Sequence, residues 1–452
     1  MAKSMRFILV LAAALSMALA FGSSASAQAP RGEPIVFGYI GFHLSPGTRP
    51  CMDIQRVAVE EINQAGGILG RPVRYVTADN KGQTALTVEG ARHLLQTEKV
   101  KFMSVEGRTE ICLAAQENSA AMFREYPHIL VFNGPMGMEL TDRVMQDYDR
   151  YRFSFRDWDP EPSQYAQTRY FFNRFWPEVL PKFERVAILW EDLAWTEAWR
   201  GGIPSLGLPS WEQWWQEEFG LEVVFSQLVA PRGTMYLPVL QQVARSRPDF
   251  IWYISSWFTD TESFAKQWAQ SASRDIPLSF YGGVAQTSAF WQMTGGAALG
   301  TVSSFMETDI PITEKTAPFY ELAKKHNIPT QGHVHLAYAD IYFFKAVIEN
   351  AGGVDDIDKL INAMYTTETT YSLGIMAYET ERVSPFFHSK KRVDPSDPTR
   401  VTYPGVFYQP IAQFQRDGEV KIIGGSSPEH EEFWNQYGKF EDYVMPADLR
   451  RR

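Results

Sequence analysis

Ile35-Val36-Phe37-Gly38-Tyr39-Ile40 is an apolar, β-rich run, and its succession by a helical pattern and a second such run decides the fold. Ile54, Val57, Ala58 and Ile62 come next at helical spacing, Gly66-Gly67 ends that pattern, and the second β-rich run occupies Val73–Ala78. Strand, amphipathic helix and strand in this order form a βαβ unit, whose parallel strands need a helical crossover. The unit repeats. A helix carrying Val88, Ala91, Leu94 and Leu95 leads to a strand at Phe102–Val105, then a helix from about Glu110 to Glu125 and a strand at Ile129–Phe132. Such alternation predicts an α/β fold with a parallel sheet covered by helices on both faces.

The rhythm restarts at Val186-Ala187-Ile188-Leu189-Trp190 and continues through Leu221–Phe225, Phe250–Ile254 and Leu278–Tyr281, with helical stretches at Thr234–Arg245 and Asp260–Ala272. A second doubly wound sheet is therefore expected, and Tyr151–Pro162, rich in aromatic, charged and Pro residues, reads as the crossover between the two. Ala337–Asn350 and Ile357–Tyr365 read as helices. Ser384–Thr402, polar and Pro-containing, reads as a surface insertion. Ligands of open parallel sheets bind beyond the carboxyl ends of the strands, so two such sheets facing each other make a cleft.

Composition narrows the function. Lys3 and Arg6 precede an apolar run from Phe7 to Phe21 and the small-residue segment Ala25-Ser26-Ala27, the pattern of a secretory signal peptide over residues 1–27, cleaved near Ala27. The run is shorter than the roughly 20 residues that cross a bilayer. Export to the periplasm is expected. Without the signal, 41 Lys+Arg stand against 53 Asp+Glu, and a net charge of −12 disfavours nucleic acid and anionic membrane surfaces as partners.

No G-x-S-x-G, no G-x-G-x-x-G opening a helix, no Walker loop and no H-E-x-x-H occurs, so no catalytic residue and no cofactor is assigned. Gly66-Gly67 with Gly70 follows a helix and precedes a strand, which is the order of a C-cap and turn and not of a phosphate loop. His333 and His335 would share one face of an extended segment, but no further metal ligands stand beside them. His430 with Glu431 and Glu432 reads as solvated surface.

The stretch Glu60-Glu61-Ile62-Asn63-Gln64-Ala65-Gly66-Gly67-Ile68-Leu69-Gly70-Arg71-Pro72-Val73, followed by Asp79 and Asn80, resembles the first helix and second strand of periplasmic binding proteins of the branched-chain amino acid type. Pro127–Pro135 with Glu139-Leu140-Thr141, Pro248-Asp249-Phe250, and Tyr338-Ala339-Asp340 leading to Glu349-Asn350-Ala351-Gly352-Gly353 come in the family's order. The likeness runs from about residue 35 to 425, is weak from 200 to 220 and is absent at 384–402.

The resemblance implies a type I periplasmic binding fold, with two lobes joined by three crossovers and closing on a ligand by a hinge. It places 35–152 with 305–372 in the first lobe, 153–304 with 373–425 in the second, and leaves 426–452 as a tail. It also implies a substrate-binding protein, monomeric or weakly dimeric, that serves an ABC permease of the inner membrane and is not an enzyme.

Position by position, the resemblance puts Arg108 and Thr109 where the family holds a ligand carboxylate, and Gly134, Pro135 and Met136 in the next binding loop. Trp195 and Trp257 match its aromatic walls. Val284 falls where amino acid binders carry a carboxylate for the ligand's ammonium. A buried ammonium without a partner is costly, so Val284 and Met136 argue against an ordinary amino acid. Trp190, Trp195, Trp257, Phe258 and Tyr281 stand at or near strand ends instead. They suggest a ligand with an apolar or aromatic body and at most one anionic group, stacked on Trp195 and Trp257 and paired with Arg108. Trp211, Trp214 and Trp215 read as core or lobe surface.

Branched-chain amino acids or amides are the alternative ligands, and a secreted α/β enzyme or a sensor domain the alternative classes. Cys51 and Cys112, the only two cysteines, begin the first and third helices at one sheet edge, and a disulfide between them is expected.

Overall fold

The computed structural model describes residues 30–158, 160–305, 307, 310–330, 332–391, 393–394, 396–401, 410–425 and 431–451. The signal peptide and His430 lie outside the described residues. No helix among those described is long and apolar enough to cross a membrane.

The first sheet contains β1 (Ile35–Gly41), β2 (Val73–Asp79), β3 (Phe102–Glu106), β4 (Ile129–Asn133) and β5 (Ser154–Arg156), in the order β2-β1-β3-β4-β5 and all parallel. β1 is buried at all seven positions, as a central parallel strand covered on both faces must be. Helix Arg49–Gln64 buries Ile54, Val57, Ala58 and Ile62 on the sheet. The turn after it depends on Gly67, at φ +76°, where a Cβ would lie 2.0 Å from the Arg71 carbonyl oxygen. The long helix Gly332–Ala351 packs beside helix Arg49–Gln64 on the same face, where Phe344 packs on Phe37 and Phe102 with ring centroids 5.7 and 4.7 Å away.

The second sheet holds β6 (Arg185–Glu191), β7 (Glu222–Val229), β8 (Phe250–Ile254), β9 (Leu278–Tyr281) and β10 (Val302–Ser304) in parallel. Two hairpins come next, β11 (Thr369–Tyr371) with β12 (Gly374–Met376) and β13 (Val393–Asp394) with β14 (Asp397–Val401). The chain then returns as β15 (Pro410–Phe414) and β16 (Val420–Gly425), antiparallel additions that complete the order β16-β15-β10-β9-β8-β6-β7. One face of this sheet is covered by tryptophans. Trp199 and Trp211 stack at 4.5 Å, and Trp215 and Trp252 pack beside them, so Trp211, Trp214 and Trp215 are core residues as expected. Trp190 is core as well, its indole donating to Ser226 Oγ at 3.2 Å.

The chain passes between the lobes after β5, after β10 and between β12 and β15. Two expectations shift here. Ser154–Arg156 hydrogen-bonds to β4, so the first passage begins after Arg156 and not at 152. The stretch from 384, read as a surface insertion because of its polarity, is buried through Lys390 except for half-buried Pro385. Its polar groups are satisfied inside: His388 Nδ1 meets the Ser154 carbonyl at 2.8 Å, and Arg156 Nη2 donates to Ser389 Oγ at 2.6 Å.

Candidate functional site

A cavity of about 170 Å³ lies between the carboxyl ends of the two sheets and is lined from both lobes. β3 delivers Glu106, Arg108 and Thr109 to it, and β4 delivers Gly134, Pro135 and Met136. From the second lobe come Trp195, the Trp257–Phe258 pair, Tyr281, Gly282, Gly283 and Gln286.

Thr109 opens the helix Thr109–Met122, whose first turn carries no side-chain cap. Uncapped amides and the helix dipole suit an anion there. Arg108 adds a guanidinium, but it is already engaged: Nε lies 2.9 Å from Glu110 Oε1, and Cζ sits 5.3 Å from the Phe258 ring centre across the cleft. Gly134, at φ +90°, lets the loop pass His333, whose Cε1 would be 2.8 Å from an added Cβ. The same loop is clamped from below, because buried Arg156 Nη1 donates to the Met136 and Gly137 carbonyls at 2.8 and 2.7 Å.

Trp195 is half-buried, with its indole donating to Glu191 Oε2 at 2.6 Å and its ring set edge-on to Trp199 at 5.0 Å. Glu191 is buried, and its carboxyl is raised by that burial against the opposing hydrogen bonds of Thr259, Ser256 and Trp195. Trp257 lies over Gly47 of the first lobe, where a Cβ would be 3.5 Å from the indole Cγ. Both tryptophans are half-buried and line the cavity.

Seven of the eight residues expected in the site come together around this cavity. Val284 does not line it; its side chain packs on the core of the second lobe, and Gly282, Gly283 and Gln286 form that part of the wall. The expected disulfide is also absent. Cys51 Sγ is 3.4 Å from the Gly47 carbonyl oxygen, whereas Cys112 Sγ turns to the Val105 and Gly107 carbonyls, so the two buried thiols face different backbone and stay free.

His333 and His335 lie on the helix Gly332–Ala351 and not on an extended segment, and residues two apart on a helix point to different sides. His333 reaches the cleft and packs against Trp158, with ring centroids 4.3 Å apart and the planes tilted by 32°. His335 is buried against Phe319, with Nδ1 2.6 Å from Ser372 Oγ. Among the described residues no group of three His, Cys, Asp or Glu side chains is arranged to hold a metal.

Sequence reasoning missed Glu106. It is 8% exposed at the end of β3, hydrogen-bonded by Tyr39 Oη and, at 3.3 Å, by Thr48 Oγ1, with His333 Nδ1 3.7 Å away. Burial pushes its carboxyl up to about 7 and outweighs those hydrogen bonds. A charged residue closing an otherwise apolar strand, Phe102-Met103-Ser104-Val105-Glu106, was the available signal.

The sequence profile of the periplasmic binding protein family matches residues 46–383. A Leu/Ile/Val-binding protein of Rhizobium johnstonii is 23% identical over 309 residues, covering 68% of this chain and 76% of its own. Among solved structures, a putative branched-chain amino acid ABC transporter protein of Silicibacter pomeroyi superposes with a TM-score of 0.67 at 18% identity, over 87% of this chain and 96% of that one. The solute-binding protein of an ABC transporter from Rhodopseudomonas palustris, in complex with 3,4-dihydroxybenzoic acid, gives a TM-score of 0.62 at 17% identity over 86% and 95% of the two chains. Two parallel-sheet lobes facing a shared cleft agree with that match: this chain belongs to the periplasmic binding protein family.

Proposed function

We propose that this protein captures a small molecule with an apolar or aromatic body and at most one anionic group, and presents it with the lobes closed to an ABC permease of the inner membrane. The observation that carries this reading is that two indoles, Trp195 and Trp257, line the same cavity as the uncapped first turn of helix Thr109–Met122. Apolar walls supply affinity and a few convergent polar groups supply orientation. The cavity, about 170 Å³, is near the ~150 Å³ that accommodates a benzene ring, so it fits one ring with few additional atoms. The bound 3,4-dihydroxybenzoic acid of the Rhodopseudomonas palustris neighbour is of that kind.

Branched-chain amino acids or amides are a second reading, favoured by Glu106, which offers an ammonium group the carboxylate that Val284 lacks. A thermal-shift screen of the mature protein against aromatic and alicyclic acids and branched-chain amino acids separates the two. A ligand at one hundred times its Kd stabilises the native state by about 2.7 kcal/mol. A shift with apolar acids alone supports the first reading, and a shift with leucine or valine alone supports the second.

A further inference from the structure

The first passage between the lobes leaves the first sheet at Arg156, and the next residue, Asp157, is fully buried within hydrogen-bonding reach of Asp340 on helix Gly332–Ala351. Asn133, at the end of β4, bridges the two: its Nδ2 donates to Asp157 Oδ2 and, at 2.8 Å, to Asp340 Oδ2. The third passage lies beside them. Tyr378 and Lys390 pair there as an antiparallel bridge, and the Lys390 amide donates to the Arg156 carbonyl at 2.8 Å. Lys390 Nζ, 2.7 Å from Tyr371 Oη, is near enough to favour ionisation of both acids, while Glu106 opposes it at Asp157. Tyr378 and the thiols of Cys51 and Cys112, raised by burial first and in part by these acids, stay neutral. Among the described residues, no group donates to Asp157 Oδ1 or Asp340 Oδ1.

A buried carboxylate with an unmatched oxygen is costly. Burial accordingly raises both groups, Asp157 with the charge of Asp340 adding to the rise, and Asp340 up to about 7 against the bonds of Asn133 and Asp157. The lobes meet across the cleft in this arrangement: Trp257 lies over Gly47, and Arg108 Cζ is 5.3 Å from the Phe258 ring centre. Hinge segments absorb the backbone change when lobes part, and Asp157 sits in such a segment while Asp340 belongs to a lobe.

We propose that the Asp157–Asp340 pair, bridged by Asn133, is a proton-held latch in the hinge, which favours the closed lobes while it keeps its proton and releases them once it ionises. Opening separates and hydrates the pair, and hydrated carboxyls hold protons less tightly. By linkage, acid then favours closure, and the closed population falls as pH rises through about 7. The latch regulates the cleft without touching what the cleft holds. It rests on the reading of capture by closure for its consequence, that ligand affinity follows the closed population.

Pulsed electron-spin distance measurements test this on the ligand-free mature protein with spin labels at Leu44→Cys and Met235→Cys, exposed positions on the first and second lobes. Cys51 and Cys112 are buried and do not compete for the label. Between pH 5.5 and 8.5 the longer-distance fraction is expected to rise at least about threefold, with a midpoint near 7, and to stay constant in Asp340→Asn. Glu106 and Glu161 titrate in the same range, and the variant separates their share. Asp340→Thr takes the place of the amide variant should that one not fold. A wild-type distribution that ignores pH, or a change of equal size in the Asp340 variant, overturns the latch. No ligand enters the measurement, so a protein that opens as expected but binds no apolar acid overturns the reading of the cleft and leaves the latch intact.

Discussion

Trp195 is where a single side chain does most for affinity, because its indole N–H is fixed by Glu191 and its ring is turned by Trp199, leaving little rotamer freedom to lose on binding. Trp195→Ala is expected to weaken the cleft's ligand by about 2 kcal/mol, or roughly thirtyfold, with the melting temperature of the free protein little changed. Calorimetry beside a thermal melt checks both halves, and unaltered affinity would remove the stacking argument. Cys51 and Cys112 make a second prediction at this scale. Both are buried and free, and burial raises both thiols well above the ordinary range. They are expected to resist a thiol reagent in the folded protein and to give two reactive thiols on unfolding without reductant. Finding none after unfolding would show that they are bridged.

Arg156 ties three elements together: β5, the binding loop after β4 and the segment around Ser389. Lysine has no planar fork with which to reach two carbonyls and a hydroxyl at once. Arg156→Lys should therefore cost about 2 kcal/mol of stability and weaken ligand binding too, because Gly134–Met136 loses its clamp. Denaturant melts and calorimetry on one preparation would show whether the two losses occur together. Gly67 contrasts with it. A Cβ would meet backbone there at a positive φ, so Gly67→Ala should lower stability by about 1–3 kcal/mol and leave ligand affinity alone, since the turn lies at the far end of β2 from the cleft. Element boundaries followed from pattern wherever an amphipathic face met one sheet. Ser384–Lys390 did not, because its polar groups are paired by Arg156, Ser154 and Glu379, partners distant or separated in sequence.

Across the whole molecule, buried acids and buried histidines pull the pH dependence in opposite directions. Burial pushes Glu106 and Glu161 up to about 7, and raises the Asp157–Asp340 pair, where two carboxyls share the Asn133 amide beneath the first crossover. In the unfolded chain these groups lose their protons near the ordinary carboxyl values, whereas the native state keeps them. These acids make the native state bind more protons between about pH 4 and 7, whereas burial pushes His128 and His333 down to about 4 and His335 and His388 down to about 3, so that the histidines make it bind fewer up to about pH 6.5. Thermal melts of the wild type and Asp340→Asn from pH 5 to 8 isolate the acids' share: the melting temperature of the wild type relative to the variant is expected to fall as pH rises, and a difference that rises would contradict it. The βαβ alternation, the aromatic cleft residues and the family order were legible in the sequence, because periodic burial against a local sheet leaves its mark on neighbouring residues. Glu106, the inward packing of Val284, the separate directions of Cys51 and Cys112 and the burial of 384–390 were decided by tertiary structure. Each depends on which groups from remote segments meet in space, and no local spacing records that.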